Sequence, residues 1–275
     1  MRAYTSSAMF EDIKKFMRRK PHVAVVRLQG IISAAGSRGT LSADGLAPIL
    51  NQAFTRGKPV AVALSINSPG GSPVQSALIG AQIRRLADEH KVPVHAFVED
   101  LAASGGYWIA AAADDIWVDR SSITGSIGVI SAGFGFPEFL ARYGIERRVH
   151  TTGEDKSMLD PFRPERAEDV ERLKALQKRI HDHFIDHVRA RRGVRLNTDL
   201  ELFTGDIFVG ETAVEAGLVD GIDHLVPRLK RLYGDKIVMR PFRQRKPLFQ
   251  RLVPRVIDDG IGAIEDRAAW AQFGL

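Results

Sequence analysis

Short apolar runs alternate with amphipathic stretches through the first half of this chain of 275 residues. Residues 23–28, VAVVRL, read as a buried strand. Ser42 is placed to cap a helix whose apolar positions, Leu46, Ile49, Leu50 and Phe54, recur at helical spacing. Residues 59–66, PVAVALSI, form the next strand, and a turn over 67–71 follows it. The helix after that turn is predicted to point Val74, Ala77, Leu78, Ala81 and Leu86 inward. Residues 92–98, VPVHAFV, give a third strand, Ser104 opens a short helix, and 116–118 begin a fourth strand. Strand and helix in alternation predict a parallel sheet with crossovers. A long charged amphipathic helix is expected over 165–192, with Val170, Leu173, Leu176, Ile180, Phe184 and Val188 as its apolar positions. Short elements return after 203 and end near Val238. With no internal repeat, the economical organisation is one catalytic domain over 22–240, an amphipathic basic segment over 1–21 and a tail over 241–275.

Composition narrows the chemistry. Apolar residues make up 44% of the chain, enough for a sizeable core, and there is no cysteine. That excludes disulfides, cysteine nucleophiles and thiolate metal sites. The net charge is +6. Its basic clusters, around Lys14 to Lys20, Arg189 to Arg195 and Arg240 to Lys246, carry no nucleic-acid motif, so a nucleic-acid partner is not expected. No apolar run approaches the ~20 residues needed to span a bilayer. Phe10, Ile13, Phe16 and Met17 stand at helical spacing among basic residues, and Leu248, Leu252, Val253, Val256, Ile257, Ile261 and Ile264 follow a basic cluster. Such segments suit either a membrane surface or packing on a neighbouring subunit.

Two segments could carry chemistry. In Asn67-Ser68-Pro69-Gly70-Gly71, two glycines after a strand let backbone N–H groups approach a ligand and hold an oxyanion, although an ordinary strand-to-helix turn has the same composition. In Ala102-Ala103-Ser104-Gly105-Gly106-Tyr107, a serine opens a helix between small residues that leave room for a substrate backbone. A helix cap is the commoner fate of such a serine. None of the eight histidines stands in a recognisable triad arrangement with Ser104, and His181, His183 and His187 are expected on the surface of the long helix. The other base available to a serine is a lysine, here Lys156 in TTGEDKSM, whose ordinary reading is a solvated surface charge.

Taken in order, NSPGG, AASGGY, TGSIGV (124–129) and TTGEDKS resemble the signal peptide peptidase A family of Ser/Lys peptidases. GDIFVGETAVEAGLVDGI (205–222) resembles that family's closing motif, and the resemblance covers about 22–240. The first turn is shared with the Clp protease and crotonase relatives. The fold implied is α/β, a Clp-protease/crotonase-like spiral of βαβ units with a mostly parallel sheet and helical ends. The resemblance implies Ser104 as nucleophile, Lys156 as general base, Gly71 and Gly105 as oxyanion donors, and Ser126 as the hydroxyl that orients the lysine amine. No metal or organic cofactor is implied. The single copy of the motifs resembles the short form of the family, in which neighbouring subunits of a ring or dome assemble the dyad. The implied substrates are extended apolar peptides such as remnant signal peptides. A cytoplasmic location, with peripheral contact to the inner face of the membrane, is the expectation drawn from the basic amphipathic ends rather than from the resemblance. Two other readings share the fold: a crotonase-like acyl-CoA enzyme, which needs no Ser104 with Lys156, and a non-catalytic membrane-associated scaffold.

Overall fold

The computed structural model describes residues 21–34, 40–153, 156–243 and 270–274. The expected surface helices over 10–20 and 248–264 lie outside the described residues.

Strand β2 (Ala61–Ser68) is buried at all eight positions. Its unbroken run of small and branched residues suits a strand covered on both faces. It pairs in parallel with β1 (His22–Gln29) on one side and β3 (Val94–Ala103) on the other. Strand β8 (Val238–Phe242) extends the sheet beyond β1. On the other side the sheet forks. The first part of β3 pairs with β4 (Asp115–Val118), and its last three residues pair with β5 (Ile123–Gly125). Strand β7 (Gly221–Ile222) lies beside β4, and β6 (Ile207–Val209) runs antiparallel to β5. Every pairing except that last one is parallel, as the alternation of elements predicts.

Helices cover both faces. Helix α1 (Ala43–Thr55) buries Leu46, Ile49, Leu50 and Phe54, and the Ser42 hydroxyl accepts the N–H of Gly45 at 3.2 Å, so its predicted cap and face are both present. Helix α2 (Pro73–His90) is turned differently from expectation. It buries Ser76, Ile79, Gly80, Ile83, Leu86 and Ala87, while Val74 and Leu78 are 66% and 50% exposed. Two apolar stripes compete on this helix. The one that wins carries two isoleucines and also Gly80, where a side chain would stand 3.5 Å from the Trp108 ring. Helix α3 (Gly105–Ala111) is buried at every position. Helix α4 (Pro137–Arg142), which the hydrophobic pattern does not predict, buries nothing.

Helix α5 (Ala167–Arg192) is the long charged helix. Its stripe is covered only near the C-terminal end, at Phe184 and Val188, whereas Leu176 and Ile180 face solvent at 49% and 36% exposure. Helix α6 (Glu211–Glu215) precedes β7, and α7 (Leu225–Tyr233) closes the second face. There Leu229 joins Val23, Ala61, Ala63 and Phe97 in a smaller apolar cluster.

One irregularity positions the site. Ile66 lies opposite Val98, yet Ser68 lies opposite Ala102, so β3 covers four steps where β2 covers two. Asn67 occupies the gap: its Oδ1 accepts the Leu101 N–H at 3.2 Å and its Nδ2 donates to Asp100 at 2.7 Å. The bulge thereby brings the end of β3 level with the glycine turn that ends β2.

Candidate active site

Three strand ends meet here. After β2, the turn at Gly70 and Gly71 is held from behind by Ile32, whose N–H donates to Gly70 O at 2.7 Å and whose carbonyl accepts the Ser72 N–H at 2.8 Å. Those two bonds flank Gly71, so the N–H of Gly71 itself points away from Ile32. Its φ of +137° disfavours any side chain, and a Cβ would fall 2.1 Å from Ile32 O. Ser68 fixes the turn from inside. It is fully buried, donates to Gly30 O at 2.7 Å and accepts the Gly70 N–H at 3.2 Å.

After β3, the chain turns sharply into α3 at Ser104. Its φ of +51° and ψ of −123° put a non-glycine residue in a sparsely populated region. Such backbone costs ~1–3 kcal/mol and persists where surrounding structure enforces it, often at functional sites. A serine on a strained strand-to-helix turn presents its hydroxyl outward, as in nucleophile elbows on other folds. The side chain makes no capping bond. The cap reading left open by the sequence therefore fails: this hydroxyl is not occupied by the helix it precedes.

The two glycine segments touch. A Cβ on Gly70 would lie 2.8 Å from Ser104 Cβ and 2.7 Å from Gly105 N. A Cβ on Gly105 would lie 2.3 Å from Ser76 Oγ and 3.4 Å from Gly71 N. Only glycine allows this approach, and it sets the N–H groups of Gly71 and Gly105 side by side. Gly105 is the first residue of α3, so its N–H is one of those a helix leaves without an internal acceptor. Two such donors beside a hydroxyl that makes no capping bond are a geometry able to hold an oxyanion.

Strand β5 supplies the third wall. Ala103 pairs with Gly125, and the Ser104 N–H donates to Gly125 O at 2.9 Å. Ser126 follows directly, half-buried, with φ of +50°. Beside Ser104 lies a cavity of about 20 Å³, walled in part by Trp108, Val129, Ile180 and Phe184. That is room for about one water molecule or a methyl group. Larger hollows, about 710 Å³ beside 131–136 and 157–166 and about 490 Å³ beside Glu99 and His224, do not include Ser104.

Of the five residues singled out in the sequence, Gly71, Ser104 and Gly105 thus converge around the cavity, and Ser126 joins them only through the backbone, next to the Gly125 carbonyl that accepts the Ser104 N–H. Lys156 does not join them within one chain. Its side chain is exposed in a turn whose N–H bonds to Gly153 O at 3.4 Å. It is not among the residues around the Ser104 cavity. Two histidines expected at the surface are instead partly buried. His181 Nε2 meets Ile127 O at 2.8 Å, and His187 Nε2 meets Trp108 O at 3.0 Å while its ring stacks on Trp108. Burial lowers the pKa of His187, with Arg191 acting in the same direction against the bond to Trp108. His183 alone of the three is exposed as expected. Sequence reasoning also missed Ile32 and Ser68. Ser68 lies inside the NSPGG turn, but nothing in the sequence marks Ile32 as the residue that bridges to it from behind.

A model of peptidase family S49 matches residues 87–235. The chain belongs to peptidase family S49. Among curated relatives, it is 33% identical to a putative signal peptide peptidase SppA of Enterococcus faecium, over 64% of this chain and 51% of that one. It is 30% identical to the chloroplastic serine protease SPPA of Arabidopsis thaliana, over 75% of this chain and 31% of that one. It is also 47% identical, over 95% of its length, to a Brucella melitensis protein named Na(+)/H(+) antiporter NhaA, of which the match spans 38%. That name describes a protein more than half of which lies outside the match. The chain thus spans about half or less of these S49 relatives and of the Brucella protein. Among solved structures, the 1510-N membrane-bound stomatin-specific protease aligns with a TM-score of 0.53 at 16% identity, over 82% of this chain and all of that one. A second structure of that protease, in complex with a substrate peptide, gives 0.53 at 18% identity over 90% and 99%. At these identities the likeness shows the fold, the Clp-protease-like α/β arrangement common to this S49 member and its neighbours.

Proposed function

We propose that this S49 member is a serine endopeptidase in which Ser104 attacks the scissile carbonyl and Lys156 is the general base. The observation that carries the reading is the free hydroxyl of Ser104, on a strained turn beside the paired N–H groups of Gly71 and Gly105. In the reaction, Ser104 Oγ bonds to the carbonyl carbon as its proton passes to the neutral amine of Lys156. The two N–H groups hold the oxyanion, an effect typically worth ~3 kcal/mol per donor. Collapse of the tetrahedral adduct releases the amine product, which takes the proton from Lys156. Water then attacks the acyl-enzyme by the same route.

The substrate class we assign is extended apolar peptide, of which remnant signal peptides are one source. An apolar wall of Trp108, Val129, Ile180 and Phe184 beside the nucleophile suits such a chain. We assign the base to a neighbouring copy of the chain. Lys156 is exposed and is not among the residues around the Ser104 cavity, which favours a lysine supplied by a second subunit. The surface supports association. Ile130, Phe134, Phe139, Tyr143 and Leu176 are all about half exposed or more. Exposed large apolar side chains in such number suit an interaction site. Light scattering is expected to give a mass of several multiples of 30.3 kDa. A fully active monomer would contradict the shared dyad.

We assign the orienting of the incoming amine to the Ser126 hydroxyl, because Ser126 directly follows Gly125, whose carbonyl accepts the Ser104 N–H. Ser126→Ala is expected to lower kcat about 10- to 100-fold, at or below the range typical of a proton-transfer group. A wild-type rate in that variant would return Ser126 to a turn role. The reading as a whole is tested by digesting a peptide library with wild type and with Ser104→Ala.

A further inference from the structure

Helix α5 touches the cavity at Ser104 in two ways. Its side chains Ile180 and Phe184 line it, and Phe184 stacks on Trp108 with ring centroids 4.8 Å apart. Its histidines bind the backbone of the two segments that form the opposite walls. His187 meets Trp108 O in α3, and His181 meets Ile127 O at 2.8 Å in the segment that continues as Gly128 and Val129. Those two residues line the cavity themselves. Ile127 is fully buried, whereas Gly128 and Val129 are partly open, so the segment passes from core to substrate side within two residues. Beyond it residues 130–136 are exposed, and strand pairing has already ended at Gly125. The bond from His181 is therefore a tie from a rigid helix to a stretch with no sheet ladder to hold it. A carbonyl oxygen only accepts, so Nε2 of His181 carries the hydrogen.

We propose that His181 is a positioning residue, which holds 127–129 as the peptide-contacting edge beside Ser104 by donating to the Ile127 carbonyl. The inference rests on the peptidase reading and deepens it. Extended peptides are recognised by main-chain bonds along a fixed edge. A fixed edge lowers the ordering that binding must otherwise supply, so its loss weakens binding more than it slows the chemical step at Ser104.

The test compares wild type, His181→Leu and His181→Gln on one peptide that wild type cleaves. A glutamine amide nitrogen reaches about as far as Nε2 and donates the same bond; leucine fills similar space and donates nothing. His181→Leu is expected to raise KM about 10-fold with kcat within about 3-fold, and His181→Gln is expected to restore KM to within about 3-fold. In parallel, hydrogen exchange over 126–130 is expected to quicken about 10-fold or more in the leucine variant and not in the glutamine variant, with β2 unchanged in both. Equal kinetics and equal exchange in all three proteins would overturn the inference, as would equal losses in both variants, which mark simple packing. A wild type that cleaves no peptide overturns the peptidase reading itself. The exchange experiment still decides in that case whether His181 holds the segment.

Discussion

Replacing Ser104 with alanine is expected to lower peptide hydrolysis by at least ~10⁴-fold, the scale seen when a nucleophile that acts with its base as a unit is removed. The same change is expected to leave stability within ~0.5 kcal/mol. The hydroxyl makes no capping bond, so no internal contact is lost, and alanine meets the same backbone strain as serine at φ +51°. Initial rates on a quenched peptide, with a urea melt of each protein, measure both effects. An inactive variant that also unfolds early would mean that the serine is structural. A variant as active as wild type would remove Ser104 from the mechanism, whereas equal inactivity of both proteins with normal assembly would leave the chain a scaffold of the peptidase fold.

Lys156→Ala is expected to be equally inactive alone, and the second large effect lies in mixing. Each inactive protein retains what the other lacks. In a ring of equal subunits built from head-to-tail contacts, a 1:1 mixture pairs an intact serine with an intact lysine at about one interface in four. The mixture is thus expected to recover about a quarter of the wild-type rate after subunits exchange, from two preparations with essentially none. Persistent inactivity of an exchanged mixture would place the base within the same subunit or on another residue. Activity of Lys156→Ala by itself would remove the lysine from the mechanism.

Legibility in the sequence followed the range of the interactions involved. β1, β2 and β3 and the Ser42-capped helix were readable because each is set by its own run of residues. The site was readable in pieces, since Gly71, Gly105 and Ser104 lie in short segments whose composition already limits what the backbone can do. What failed depended on distant partners. The face of α2 turned on a choice between two apolar stripes, and the one that packs on the core carries Ile79 and Ile83 and sets Gly80 beside Trp108 of a later helix. His181 and His187 looked like surface groups because their partners are backbone carbonyls, which every residue has and no residue name reveals. The apolar stripe of α5 was readable as a pattern, but one chain covers only its end. The same limit applies to Lys156, whose proposed partner lies in another copy of the chain.

The central claim is that Ser104 is the nucleophile, and covalent capture tests it most directly. The assembled protein is treated with a peptidyl fluorophosphonate, digested with trypsin and sequenced by mass spectrometry. Cleavage after Lys91 and Arg120 isolates the serine in a single peptide, 92–120. The account predicts one adduct per active site, on Ser104 within that peptide, with loss of activity in proportion to labelling. An adduct on a different residue, in protein that cleaves peptides and loses that activity as it is labelled, would contradict it.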